Sequence, residues 1–263
     1  MNSFQQISFE LESLLVLTRG VVGVKMLTSQ SLTRNYSGVI PKKPLSYCNA
    51  VKGASLGKEI ILTKETSGCP GSSRALGFVD ARQEYFEGNS GFSLGLFKDV
   101  QVASKVAMET PIFKHDMQAI VIKPLSKFES EPDVVMVFSN SREMMRLVQG
   151  YTFQFGLNGN FNISGNQALC VEATMTPFAK KDLNISLLCS GTRYKAKWGE
   201  NELVAGFPFE MSKDIVDGLK GTVNAVEQDE RKKEIEDRLA KENLLDFEIE
   251  YGKTYYENKT KKL

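Results

Sequence analysis

Residues 184–193 of the chain read NISLLCSGTR, a run of largely apolar residues that ends at Cys189. Branched residues favour a strand, and the Ser, Gly and Thr after the cysteine favour a turn or the first residues of a helix. Residues 59–74 have the same order: EIILT, then Cys69, then Pro-Gly-Ser-Ser and Arg74. Both stretches therefore predict a strand that ends near a cysteine, with a helix directly after that cysteine.

These two stretches belong to a longer repeat. Cys48 precedes Cys69 by 21 residues, Cys170 precedes Cys189 by 19, and these four are all the cysteines of the chain. Further along, GFSLGLFKDV at residues 91–100 resembles GFPFEMSKDI at residues 206–215. Similar segments in the same order predict an internal duplication, in which two similar half-domains are related by a pseudo-twofold axis.

The repeat predicts an α+β fold with mixed sheets and flanking helices. Each half is expected to have a short helix after its first cysteine, a strand before its second cysteine and a further strand at its Gly-Phe motif; another helix begins at Lys-Asp. The chain then divides into a first half at residues 1–116, a second half at residues 117–225, and a C-terminal surface helix with a frayed tail at residues 226–263.

Apolar patterns outside the repeat predict further elements. Residues 11–27 indicate a helix followed by a buried strand, and residues 133–151 indicate a buried strand followed by a helix. Aromatic and polar residues alternate in the segment 151–165, which also contains Asn-Gly, and this predicts a β-hairpin. The C-terminal helix has an apolar stripe that includes Ile235 and Leu239.

Composition and charge exclude several classes of protein. With 33 basic and 32 acidic residues, the net charge of +1 gives no electrostatic basis for binding nucleic acid. No apolar run reaches the 18 residues that a membrane span needs, so we expect a cytoplasmic protein without a membrane partner. Stable disulfides are uncommon in that compartment, and cysteines there are more often buried, catalytic or metal-bound.

A pseudo-twofold axis would bring equivalent cysteines together from both halves. The predicted result is a four-thiolate site made by Cys48, Cys69, Cys170 and Cys189. Four sulfur ligands suit an iron–sulfur cluster or zinc. Backbone N–H groups at the helix starts would stabilise thiolate charge. The residues predicted to surround the site and its cofactor are Ser72, Arg74, Thr192 and Arg193.

The leading prediction is a [4Fe–4S]-type cluster that transfers electrons or acts on a small molecule. Two alternatives stay open: a module that binds a small ligand and is stapled by a zinc ion on the four cysteines, and a cysteine-dependent enzyme. His115 is the only histidine available as a base for such an enzyme, and its setting is polar. The short C-x-x-C spacing of zinc ribbons and ferredoxins is absent from the sequence. Unligated cysteines and a homo-oligomer are further alternatives.

Several motifs in this order resemble the family called domain of unknown function 169. They are VVGVK (21–25), YCNAVKGA (47–54), CPGSSRALGF (69–78), NISLLCSGTR (184–193) and GFPFEMSKDIVDGL (206–219). The resemblance spans about Leu11 to Leu219, and it departs from the family pattern at Val21, where the family has proline. It implies that the four cysteines form a shared site, and the family's prevalence in archaea and anaerobes fits an oxygen-sensitive cofactor. It names no substrate.

Overall fold

The computed structural model describes residues 2–29 and 36–256. In these residues the chain forms one sheet with the strand order β2-β3-β1-β4-β6-β5, and every strand pairing is antiparallel. The strands are β1 (Val22–Thr28), β2 (Ile60–Thr63), β3 (Met117–Pro124), β4 (Val134–Ser139), β5 (Asn184–Ser186) and β6 (Leu203–Pro208). The α+β class is confirmed.

The expectation of mixed sheets was wrong. Parallel pairing in the described chain is confined to two isolated bridges, Val39 with Ile60 and Leu45 with Ser67. The reason is that β1 and β4 pair with each other at the centre and so join strands β2-β3-β1 and β4-β6-β5 in a single antiparallel sheet.

Helices cover both faces of this sheet. They are α1 (Ser3–Leu14), α2 (Tyr47–Ser55), α3 (Pro70–Ala75), α4 (Gln83–Phe86), α5 (Asn89–Ser93), α6 (Val100–Glu109), α7 (Ser141–Phe155), α8 (Thr176–Lys180), α9 (Ser190–Tyr194), α10 (Ser212–Val226) and α11 (Asp229–Lys241). A π-helix (Ala168–Met175) precedes α8, and 3₁₀ turns (Leu125–Lys127 and Phe209–Met211) follow β3 and β6.

Successive side chains of β4 lie on opposite faces of the sheet and belong to two different hydrophobic cores. Val134 and Met136 pack with residues of α2, α3 and the π-helix on one face of the sheet. Val135 and Val137 pack with residues of α1, α7, α10 and α11 on the other face. The period of two is that of a strand buried on both sides. Cys48 and Cys189 pack against the first core and Cys170 belongs to it, so one face of the sheet carries these cysteines.

The strand register on one side of the sheet resembles the strand register on the other side. Val22 of β1 lies opposite Pro124, and Val134 of β4 lies opposite Pro208; each proline is followed by a 3₁₀ turn. The central pairing is symmetric about Gly23 and Val135, with β1 and β4 running in opposite directions. Counted from either edge, the chain order of the strands is the same: β2-β3-β1 from one edge and β5-β6-β4 from the other.

The strand predicted at the first Gly-Phe motif was wrong. Residues 91–93 belong to helix α5, and Gly95 follows in a left-handed turn with φ of 69°. Phe92 and Leu94 are exposed. The third strand of this part of the sheet is instead β3, which lies between β2 and β1. Four alternating residues next to glycines fit a helical turn as well as a strand, and local sequence does not separate the two.

The hairpin predicted over residues 151–165 was also wrong. Helix α7 continues to Phe155 and ends at Gly156, whose φ is 79°. The rings of Tyr151 and Phe155 lie 5.0 Å apart, because residues four apart share one face of a helix. The aromatic alternation that indicated a strand therefore belongs to the last turn of a helix.

Other expectations hold. The helix and strand predicted within residues 11–27 are the end of α1 and β1, and those predicted within residues 133–151 are β4 and α7. Both Lys-Asp pairs lie at helix starts, since Asp99 caps α6 and Asp214 is in the first turn of α10. Ile235 and Leu239 of α11 are fully buried. The predicted frayed tail, residues 257–263, lies outside the described residues.

Across residues 2–29 and 36–256, no helix combines the length and apolar character that crossing a membrane requires.

Candidate functional site

All four cysteines lie in or next to helices on one face of the sheet. Cys48 is the second residue of α2, which the Ser46 side chain caps. Cys69 and Cys189 are the N-cap residues of α3 and α9, so the predicted position of each directly before a helix is confirmed. Cys170 lies inside the π-helix, a rare form that is frequent at functional sites.

One hydroxyl group lies between two cysteines that are far apart in the sequence. Thr192 Oγ1 is 3.1 Å from Cys189 Sγ and 3.6 Å from Cys48 Sγ. Thr192 is fully buried because α9 turns it inward, three residues after its N-cap. The two thiols are therefore neighbours although 140 residues separate them in sequence.

The pKa values of two thiols are raised, and the other cysteines contribute to the rise. Burial raises the pKa of Cys48 to about 12; the hydrogen bond with Thr192 opposes this rise, and the charges of Cys189 and Cys69 add to it. Burial also raises the pKa of Cys170 well above its usual value, and Cys48, Cys69 and Cys189 raise it further. Like charges disfavour one another over short distances. All four thiols therefore share one electrostatic site.

In the described part of the chain, no three His, Cys, Asp or Glu side chains are placed to hold a metal ion. A zinc ion requires its sulfur ligands at about 2.3 Å. The metal centre therefore stays a prediction.

Two aromatic residues that sequence analysis missed, Tyr47 and Trp198, lie beside Cys48. Tyr47 is fully buried, and its hydroxyl lies 2.8 Å from Thr174 Oγ1. The indole N–H of Trp198 donates to the carbonyl of Cys48 at 3.4 Å. The Trp198 ring stacks on Phe138 of β4, with ring centroids 4.7 Å apart. Tyr47 stands beside Cys48 at a helix start and was available as a signal, whereas nothing in the local sequence marks Trp198.

The π-helix is held in place by buried polar contacts. Glu172 is almost fully buried and accepts hydrogen bonds from the backbone N–H groups of Ser164 and Gly165 at 2.6 and 2.7 Å. The hydroxyl of Ser186, in β5, donates to the other oxygen of Glu172. On the sheet side, a side chain at Gly206 would collide with the backbone of Ala173. Cys170 is therefore positioned by contacts on both sides of its helix.

The four residues predicted around the site have different contacts. Ser72 is buried and donates to the carbonyl of Cys69 at 3.0 Å, and Thr192 touches two thiols. Arg193 instead donates to the carbonyls of Leu187 at 2.8 Å and Glu202 at 3.1 Å, and also to that of Gly199. Arg193 thus ties α9 to the adjacent loop.

Arg74 and His115 each pack against an aromatic ring. The Arg74 guanidinium lies 3.8 Å from the centre of the Tyr85 ring, at the wall of a cavity beside α3. His115 is exposed, as its polar setting predicts, and its ring packs on Phe113 with centroids 5.2 Å apart. Among the described residues no contact joins His115 to a cysteine thiol, so the structure gives the thiols no histidine base.

The comparisons with known proteins agree with the sequence motifs. Residues 10–218 match the sequence profile of the domain of unknown function 169 family, described as "Uncharacterised ArCR". An uncharacterized protein of Methanocaldococcus jannaschii is 28% identical over 223 residues, which cover 84% of this chain and 95% of that protein. No solved structure matches the chain. The matched range covers most of the chain and includes all four cysteines: the chain belongs to the domain of unknown function 169 family.

Proposed function

We propose that this protein binds one [4Fe–4S]-type cluster through Cys48, Cys69, Cys170 and Cys189 and uses it in electron transfer or redox chemistry on a small molecule. The observation that carries the proposal is that the buried Thr192 hydroxyl touches the thiols of both Cys48 and Cys189, while the charges of Cys48, Cys69 and Cys189 raise the pKa of the Cys170 thiol. They come from four separate helices, and they are all the cysteines of the chain. A small molecule or a redox protein would be the partner, in the cytoplasm.

An internal duplication explains why these four residues meet, and we include it in the proposal. In the repeated register β1 is equivalent to β4, β2 is equivalent to β5, and β3 is equivalent to β6. In both sets the first cysteine lies in a helix before the edge strand, and the second caps the helix after it. The division between the halves then falls between β3 and β4, near residue 130, instead of after residue 116.

A bound cationic centre would have to offset two electrostatic costs at this site. Burial and mutual repulsion disfavour thiolates at Cys48 and Cys170, so without a metal these side chains stay protonated. Iron supplies the positive charge that offsets both costs when the thiols lose their protons. A four-iron cluster is larger than a single ion and holds its thiolates further apart. Its four iron sites match the four cysteines of the chain in number.

Metal analysis tests this function directly. The protein, purified without oxygen, is expected to be coloured and to contain about four iron and four acid-labile sulfide ions per chain. Visible absorption and elemental analysis of the same sample measure this. A colourless protein without iron would contradict the proposal, and one zinc ion per chain would replace the cluster with a zinc staple.

Separate substitutions test whether the two cysteine pairs act together. Cys48→Ser and Cys170→Ser each remove one proposed ligand from a different half, and each is expected to abolish most of the bound iron. Iron content is measured after anaerobic purification, with far-UV circular dichroism as the control for folding. If one folded variant keeps its full iron content, that cysteine is not a ligand and the four-thiolate site is wrong.

Thr192 provides a test that leaves every proposed ligand in place. Hydrogen bonds to ligand sulfurs stabilise the reduced, more negative state of a cluster and raise its potential. Thr192→Val removes the hydroxyl that touches Cys48 and Cys189, so the midpoint potential is expected to fall. Thr192→Ser keeps the hydroxyl and is the matched control, with a potential close to that of the wild type. Equal potentials for the valine and serine variants would show that the hydroxyl has no part in the site.

A further inference from the structure

A cavity of about 210 Å³ lies beside α3 and has not been assigned a role. It is enclosed by α3, by the α4–α6 segment and by the residues just before the π-helix, and its wall includes Gly71, Arg74, Tyr85, Leu94, Phe97 and Gln167. Its volume suits a small metabolite rather than a nucleotide, because drug-sized ligands occupy pockets of about 300 Å³ or more.

Two buried polar atoms at this cavity have no partner. In the described chain, Arg74 Nε is shielded from solvent and makes no hydrogen bond, and Gln167 Oε1 is in the same condition. The amide nitrogen of Gln167 donates to the Tyr85 hydroxyl at 3.4 Å. The Arg74 guanidinium stacks on the same Tyr85 ring. One unsatisfied donor and one unsatisfied acceptor thus lie at one cavity, where each costs free energy unless a ligand or water binds to it.

The positive charge in the lining of the cavity favours an anionic ligand. Arg74 is the one charged side chain among the described residues that line it. No ion pair or hydrogen bond within the described chain involves the Arg74 guanidinium. A carboxylate would supply both the countercharge and the acceptor for Nε–H. An ammonium group would find no acidic residue in this lining.

The remaining features define the rest of the ligand. Gln167 Oε1 requires a donor, and a neutral hydroxyl supplies one without repulsion from Arg74. Leu94, Leu96, Phe97 and Val106 give the cavity a largely apolar wall, which suits an apolar body. Leu94 and Leu96 are exposed, and a bound apolar group would cover part of their surface.

We propose that this cavity binds a small hydroxy acid with an apolar body, its carboxylate on Arg74 and its hydroxyl on Gln167. The site stands on its own geometry and does not require the cluster. It is nevertheless close to the Cys69 thiol, since a methyl group added to Gly71, which lines the cavity, would lie 4.0 Å from Cys69 Sγ. Arg74 lies in the last turn of the helix that Cys69 caps, and Gln167 directly precedes the π-helix of Cys170. A ligand here would contact the elements that carry two of the four cysteines.

Calorimetric titration of the anaerobically purified protein with 2-hydroxy-3-phenylpropanoate tests the proposal. Saturable binding at one site per chain is expected. Arg74→Met keeps the length of the side chain but loses its charge and its donors, and should weaken binding by about tenfold or more, since a hydrogen bond to a charged group contributes about 1.5–3 kcal/mol. Arg82→Met is the matched control: Arg82 is exposed, lies outside the cavity lining, and should bind as the wild type does.

A second variant tests the hydroxyl contact. The wild type should prefer 2-hydroxy-3-phenylpropanoate over 3-phenylpropanoate, and Gln167→Leu should remove that preference while 3-phenylpropanoate still binds. The iron content of each sample is measured alongside, so that a missing cluster and a missing ligand site are told apart. No saturable heat at millimolar ligand, an unchanged affinity in Arg74→Met, or equal binding of inorganic phosphate would each overturn the proposal.

Discussion

Replacing Glu227 with alanine is expected to lower the free energy of unfolding by about 3–5 kcal/mol. Glu227 follows α10 and is almost fully buried, and its carboxylate accepts from Arg146 Nε of α7 at 2.7 Å. Arg146 is equally buried and also donates to Thr222 and Leu219. Removing the carboxylate leaves the Arg146 charge in the protein interior without its counter-ion, and this causes the loss. Urea denaturation followed by circular dichroism measures it.

Two further variants separate the unpaired charge from the loss of packing. Replacing both partners, Arg146→Met with Glu227→Leu, removes both charges and is expected to recover much of the lost stability. Glu234→Ala breaks the more exposed pair with Arg238, at 3.0 Å on the surface of α11, and should cost less than about 1 kcal/mol. If Glu227→Ala costs no more than Glu234→Ala, the buried ion pair does not contribute to stability as the structure indicates.

The elements that sequence analysis predicted correctly depend on local chemistry. The helix starts after Cys69 and Cys189 follow from turn and cap residues that stand next to each other in the chain. The strands β1 and β4 follow from continuous apolar runs. The strand expected at residue 91 failed, because its counterpart at residue 206 is made a strand by pairing with β4 and β5. Such pairing is set by distant residues and is invisible in a ten-residue motif.

The site itself was predictable only in outline. The four cysteines are identifiable because they are the only cysteines of the chain and lie in two similar segments. Thr192 is identifiable because it follows Cys189 closely in the chain. Trp198 reaches the Cys48 carbonyl across 150 residues of sequence, and no local pattern announces such a contact. Arg74 and Arg193 occupy similar sequence positions, yet one faces a cavity and the other binds carbonyl groups. The surroundings that make them differ come from segments outside the repeat motifs.

Glu172→Ala is expected to destabilise the protein about as strongly as Glu227→Ala, by about 3–5 kcal/mol. The Glu172 carboxylate has no cationic partner in the described chain. Instead it accepts from two backbone N–H groups, those of Ser164 and Gly165, and from the hydroxyls of Ser164 and Ser186. Alanine would leave these donors without an acceptor, on the segment that precedes the π-helix and on β5. Urea denaturation of the metal-free protein measures the loss without a contribution from bound metal.

A graded pair of variants distinguishes this network from a simple loss of side-chain volume. Glu172→Gln keeps a carbonyl oxygen for the two N–H groups but loses the charge, so its cost should be about half that of alanine, because charge-assisted hydrogen bonds are roughly twice as strong as neutral ones. Glu109→Ala is the control, because Glu109 is exposed and lines a surface pocket together with Glu172; it should change stability by less than about 0.5 kcal/mol. Equal costs for Glu172→Gln and Glu172→Ala would mean that the charge is essential. If both Glu172 variants lose as little unfolding free energy as the control, the hydrogen bonds from residues 164–165 to Glu172 do not stabilise the protein.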